Sequence, residues 1–156
     1  MKRAGFTMIE LIFVIVILGI LAAVAIPKLA ATRDDAKIAS MATNVNQIVS
    51  DATAHYTGTG DLNVSNTTQW KAVTNVEQNS GDYVFTANKV TYNNKANGTL
   101  CGQIDYTPPV GGTPASLTVT AKNVTDPICA GVNNRLGLTA VDANNSVTLG
   151  GSSVTF

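Results

Sequence analysis

The chain has 156 residues, 45% of them hydrophobic and only 13% charged, with ten basic residues balancing ten acidic ones. No basic cluster stands out, so the electrostatic footprint of a nucleic-acid binder is missing. His55 is the sole histidine, and Glu10 and Glu77 are the only glutamates, which leaves no constellation for acid–base or nucleophilic catalysis.

In chain order, the basic stretch Met1-Lys2-Arg3-Ala4-Gly5 precedes Phe6-Thr7-Met8-Ile9-Glu10, and an apolar run follows from Leu11 to Ile26. As a helix, residues 6–27 would reach roughly 33 Å at about 1.5 Å per residue, enough to cross a hydrocarbon core of roughly 30 Å. Glu10 lies four residues beyond Phe6, near the start of that segment. An ionisable group at membrane depth is costly, so it calls for a partner and marks function. Gly19 and Pro27 are the weak points of this helix, since glycine costs about 1 kcal/mol and proline about 3 kcal/mol relative to alanine in a helix interior. Pro27 also removes the amide that would bond the Ala23 carbonyl.

The residues Gly5-Phe6-Thr7-Met8-Ile9-Glu10-Leu11, with Gly19 and Ala25-Ile26-Pro27, resemble the N-terminus of the type IV pilin and pseudopilin superfamily. The resemblance covers about the first 35 residues of the chain. It implies that a membrane peptidase cuts between Gly5 and Phe6 and methylates the new amino group of Phe6. The four-residue spacing would let Glu10 pair with the Phe6 amine within one helix; the resemblance implies instead that Glu10 of one subunit meets the Phe6 amine of a neighbour, so that a desolvated carboxylate becomes an assembly signal. In filaments of this family the stretch matching Gly19 to Pro27 can lose helical order. A rival reading takes Lys2-Arg3, the apolar run and Ala23-Val24-Ala25 as an ordinary secretory signal that frees a soluble module near Ile26. The charge at Glu10 and the helical pattern continuing past Ala25 argue against it.

Beyond Pro27 the pattern is that of an amphipathic helix. Ile38, Met41, Val45, Ile48, Ala52 and Tyr56 recur at steps of three and four, a face that expects a sheet to cover it. Thr57-Gly58-Thr59-Gly60 supplies the stop. From Asp61 onward, Asn, Thr, Gly and Val dominate and short β-branched or aromatic runs alternate with turn residues. Asn66-Thr67-Thr68-Gln69 predicts a capped short helix through Trp70 to Val73. Residues 83–86 and 89–92 predict a hairpin turning at Ala87-Asn88. Residues 100–106 are expected to pair with 117–122 around the Pro- and Gly-rich segment 108–114, and further short strands are expected over 136–156.

Cys101 and Cys129 are the only cysteines. An even count in an exported domain favours a disulfide, with two free buried thiols as the alternative; pilins carry a C-terminal disulfide, and these residues resemble it in location only. Asp142-Ala143-Asn144-Asn145 is superficially like a calcium loop but lacks the required glycine and later glutamate, so no metal site is expected. Asn63 and Asn144 each follow an acidic residue two positions earlier and precede a serine two positions later, the extended acceptor pattern of bacterial N-linked glycosylation. A pattern this short also arises by chance in so Asn- and Ser-rich a chain.

The expected fold is α+β: a long N-terminal helix, membrane-spanning then amphipathic, packed on an antiparallel sheet. The expected divisions are a cleaved leader 1–5, an assembly helix 6–27, an amphipathic half 28–57 and a β-rich head 58–156. The resemblance implies a structural, non-enzymatic subunit without a cofactor. Its implied partners are a prepilin peptidase and methyltransferase, copies of itself or related subunits, the inner membrane and an inner-membrane assembly platform. A pilus subunit and a type II secretion pseudopilin are the two readings within that family.

Overall fold

The computed structural model describes residues 5–77 and 81–150. The chain divides into two compact units, Met1–Ala36 and Lys37–Phe156. Helix α1, Met8–Thr59, begins in the first and continues into the second. It runs through Gly19 and Pro27 without a break, and it stops where the sequence places the stop, with Gly60 at φ +79° donating its amide to the Tyr56 carbonyl at 2.8 Å.

The second unit is built around a five-stranded antiparallel sheet whose order, β1-β2-β3-β4-β5, is the order of the chain. The strands are β1 (Tyr83–Thr86), β2 (Lys89–Asn94), β3 (Thr99–Thr107), β4 (Ala115–Ala121) and β5 (Asn144–Leu149). Alternation sets its two faces. Phe85, Val90, Ile104 and Val119 lie in one register row and Tyr83, Tyr92, Gly102 and Ala121 in the next, and all of these are buried. The opposite face carries Lys89, Asp105, Thr118 and Ser146 in one row and Thr91, Gln103, Thr120 and Asn144 in another.

The buried face is covered by α1 residues Met41, Ala42, Val45, Ile48 and Ala52, with Ile38 and Tyr56 partly buried beside them. This is the face predicted from the three-and-four spacing. Helix α2, Thr67–Val73, has the anticipated capping box between Asn66 and Gln69 and buries Trp70, whose ring meets Phe85 edge-on at 5.6 Å. The 83–92 hairpin and the pairing of 100–106 with 117–122 are present in the predicted register ranges.

Two features differ from the sequence reading. Between β4 and β5 stands a helix that was not anticipated, α3, Pro127–Arg135, started by the Asp126 side chain accepting from the amides of Ile128 and Cys129 at 3.0 Å each. The tail contributes one strand among the described residues, β5, and residues 151–156 of the expected strands lie outside them.

Helix α3 is tied to the sheet by three means. Cys129 forms a disulfide with Cys101 on β3, Cα to Cα 4.7 Å, closing a loop that stabilises the fold by about 3 to 4 kcal/mol on the chain-entropy model. Asn133, fully buried, accepts from the Tyr92 hydroxyl at 2.8 Å and donates to the carbonyls of Cys101 at 3.0 Å and Asn123 at 2.8 Å. Gly131 lies so close to the Ile38 side chain of α1 that a Cβ there would collide with it.

The ends of the sheet are marked by different contacts. At one end, Lys37 donates to Asn94 Oδ1 at 2.9 Å and pairs with Asp82 at 3.8 Å, while Asn94 and Asn97 donate to Asp126 at 3.2 Å and 2.8 Å. At the other, the Tyr106 hydroxyl faces Asp61 at 3.4 Å just past the end of α1, and the Tyr106 amide bonds the Asn88 carbonyl at 2.8 Å.

Candidate functional site

The site indicated by the sequence is the start of α1, in the first unit. Thr7 stands one residue before the helix and Glu10 occupies its third position. The Glu10 Oε2 atom accepts from the Thr7 amide at 2.8 Å and from the Thr7 hydroxyl at 2.7 Å, and the Glu10 amide lies 3.4 Å from Thr7 Oγ1. This reciprocal pair is a capping box, which satisfies amides that a helix start leaves without partners. The Thr7-Met8-Ile9-Glu10 spacing is the sequence signal for it, independent of any charge partner of Glu10. Negative charge is also favoured here by the helix dipole.

Around this polar cap the surface is apolar. Phe6 is 91% exposed and precedes the helix, and every large apolar side chain from Phe6 to Leu29 is exposed. Among the described residues, α1 is the one helix long and apolar enough to cross a membrane, and none of its apolar window is buried within the protein. A Cβ added at Gly5 or at Gly19 would touch nothing within 4 Å. The chain's own packing therefore gives no reason for glycine at either position.

Residues 1–26 match the family model described as the prokaryotic N-terminal methylation motif. The chain carries the type IV pilin and pseudopilin signature. That signature supports a pilin or pseudopilin-like precursor, implies processing by a prepilin peptidase and assembly with pilin subunits, and fits membrane insertion before assembly. Proteins with this motif are structural rather than enzymatic. No curated protein and no solved structure matches the chain.

The remaining candidates are scattered. Cys101 and Cys129 are joined and buried in the second unit. His55, near the end of α1, has the Thr59 hydroxyl 3.4 Å from Nδ1 and, among the described residues, no carboxylate or thiol hydrogen-bonded to it. Asn63 is exposed before α2, its amide bonding Asp61 Oδ1 at 3.2 Å, and Asn144 is exposed at the start of β5. Among the described residues no group of three or more His, Cys, Asp or Glu side chains is placed to hold a metal.

Proposed function

We propose that the chain is the structural subunit of an extracytoplasmic type IV pilus-like filament serving adhesion, motility or DNA uptake. The observation that carries this reading is the Gly5 to Glu10 motif standing at the head of a helix whose apolar side chains find no cover within the chain. In this reading, residues 1–5 are the leader, 6–27 the spanning and assembly segment, and the second unit the displayed head. Gly5 is a glycine for the sake of the peptidase, which needs close approach to the backbone at the cut. Cleavage frees the Phe6 amino group, which keeps a positive charge when methylated. Its place is one residue before the amide that already holds Glu10.

The Glu10 carboxylate, held by Thr7 in the single chain, exchanges to the Phe6 amine of a neighbour on assembly, and the helix around Gly19 and Pro27 loosens as subunits pack. Subunits docking heterologously generate an open helix with spanning segments inside and heads outside. The inner membrane holds the subunit until an assembly platform extracts it. A pseudopilin of a type II secretion system is the second reading; the cysteine pair and the Asn- and Thr-rich head favour the pilus. Intact mass and N-terminal sequencing of the mature protein test the proposal. The expected product begins at N-methylated Phe6, and Glu10→Ala should be cleaved and inserted normally yet give few filaments when no wild-type subunit is present. A mature chain beginning at Ile26 would overturn it in favour of a soluble released module.

A further inference from the structure

The two edges of the sheet are finished differently. At the β1 edge, the Thr67 hydroxyl donates to the Phe85 carbonyl at 3.1 Å and the Trp70 indole donates to the Thr86 carbonyl at 2.9 Å, so side chains of α2 lie along that edge. At the other edge, among the described residues, β5 pairs with β4 alone. Its sequence, Asn144-Asn145-Ser146-Val147-Thr148-Leu149, holds no charge and no proline, two of the devices by which natural sheets keep an edge from pairing with other chains.

The core face is also left incomplete at this edge. In the register row Tyr106, Leu117, Val147 the first two side chains are buried, whereas Val147 is 40% exposed. In the next row, Ile104 and Val119 are buried and Asn145 beyond them is exposed. A further strand beside β5, with apolar side chains in these two rows, would complete both.

The next residues of the chain, outside the described ones, carry that pattern. Gly150 stands at φ +81° and Gly151 follows it, a Gly-Gly pair suited to a two-residue hairpin turn. Such a turn sets Ser152 opposite Leu149, Val154 opposite Val147 and Phe156 opposite Asn145. The two large apolar residues of the segment then fall in the two incomplete rows. Ser153 and Thr155 fall opposite Thr148 and Ser146, on the face that already carries Ser116 and Thr118, and a slip of one residue would reverse both faces. We propose that residues 152–156 of this chain, turning at Gly150-Gly151, add a sixth strand to β5 and so close the edge by which two copies would otherwise pair strand to strand. The occupant is the chain's own segment because a two-glycine link delivers it to β5 at a small closure entropy, with no second molecule to recruit. The pairing is independent of the filament reading.

The test uses the full-length chain in detergent micelles, with the Cys101–Cys129 bond intact. Residues 148 and 153 would form the non-hydrogen-bonded pair next to the turn, with Cα atoms about 4.5 Å apart, within reach of a disulfide. Thr148→Cys combined with Ser153→Cys should therefore link within one chain on mild oxidation, read as a crosslinked peptide by mass mapping. Thr148→Cys combined with Val154→Cys places the two thiols on opposite faces and should link several-fold less. In parallel, Val154→Asp should lower the melting temperature of the head, and Ser153→Asp should leave it unchanged. Equal linkage in the two double variants overturns the proposal, as does a wild-type melt from Val154→Asp. Linkage between chains, seen as dimers on a non-reducing gel, overturns it in favour of a second copy on the β5 edge.

Discussion

Asn133 is the residue on which the second unit's polar interior converges. One buried side chain there serves the Tyr92 hydroxyl and two carbonyls. Asn133→Ala leaves all three without that partner inside the core, and a buried polar group left unsatisfied costs about 1 to 3 kcal/mol. The expected loss is about 3 kcal/mol in denaturant unfolding of the head, far more than for an exposed asparagine such as Asn134. Tyrosines report the same interior through pH. Burial pushes the Tyr83 hydroxyl up to about 12, against the pull of a hydrogen bond with Asn44, and burial raises Tyr92 as well. The unfolded chain therefore loses these protons first, near pH 10, and binds fewer protons than the fold between that value and the folded ones. The two tyrosines leave stability unchanged below about pH 10 and lower it as pH rises above that value. Thermal melts across that range, with Tyr83→Phe showing a shallower fall, check the sign.

At the scale of elements, α3 depends on the residue that caps its start, Asp126. Burial works against the Asp126 charge, yet the amides of Cys129 and Ile128 and the side chains of Asn97 and Asn94 together hold its carboxyl below the usual carboxylate range. Its contribution is complete above the unfolded carboxylate value and is lost as pH falls through the lowered folded one. Asp126→Ala should cost about 1 to 2 kcal/mol, as for other helix caps, and should flatten the acid limb of the stability profile. Gly131→Val tests the other side of α3, where a branched side chain must displace Ile38; overpacking of this kind costs about 1 to 3 kcal/mol. What could be read from sequence at this scale was whatever is local. Asn66 with Gln69, the 87–88 turn and the Ile38 to Ala52 spacing each specify their element within a few residues. Helix α3 is not legible in the sequence because its start signal, Asp126-Pro127, opens only nine residues that include a glycine, and its packing is set by Tyr92, Cys101 and Ile38, far away in the chain. At the N-terminus the motif over residues 1–26 is legible in the sequence, whereas the Thr7 partner that holds Glu10 in the single chain follows from the capping-box spacing and not from the charge.

For the molecule as a whole, no described residue from Gly5 to Ala36 is buried, whereas Lys37 onward supplies both a core and the contacts that fix the start of that core. Deleting residues 1–27 should therefore give a soluble head that melts cooperatively and elutes as a monomer after export to an oxidising compartment. A fragment that stays unfolded would show that the spanning segment is needed for the head to fold. The sheet adds a consequence of its own. Since β1 to β5 lie in space in the order in which they are made, each strand closes on the one just before it, and the loops to be closed are short for three of the four pairings. Short loops carry little closure entropy, and topologies rich in near-sequence contacts fold fast. The sheet can thus be laid down strand by strand in chain order, with the Cys101–Cys129 bond able to close only once α3 has been delivered. On the filament reading proposed above, a subunit held in the membrane by its N-terminal segment could therefore complete this sheet without waiting for distant parts of the chain.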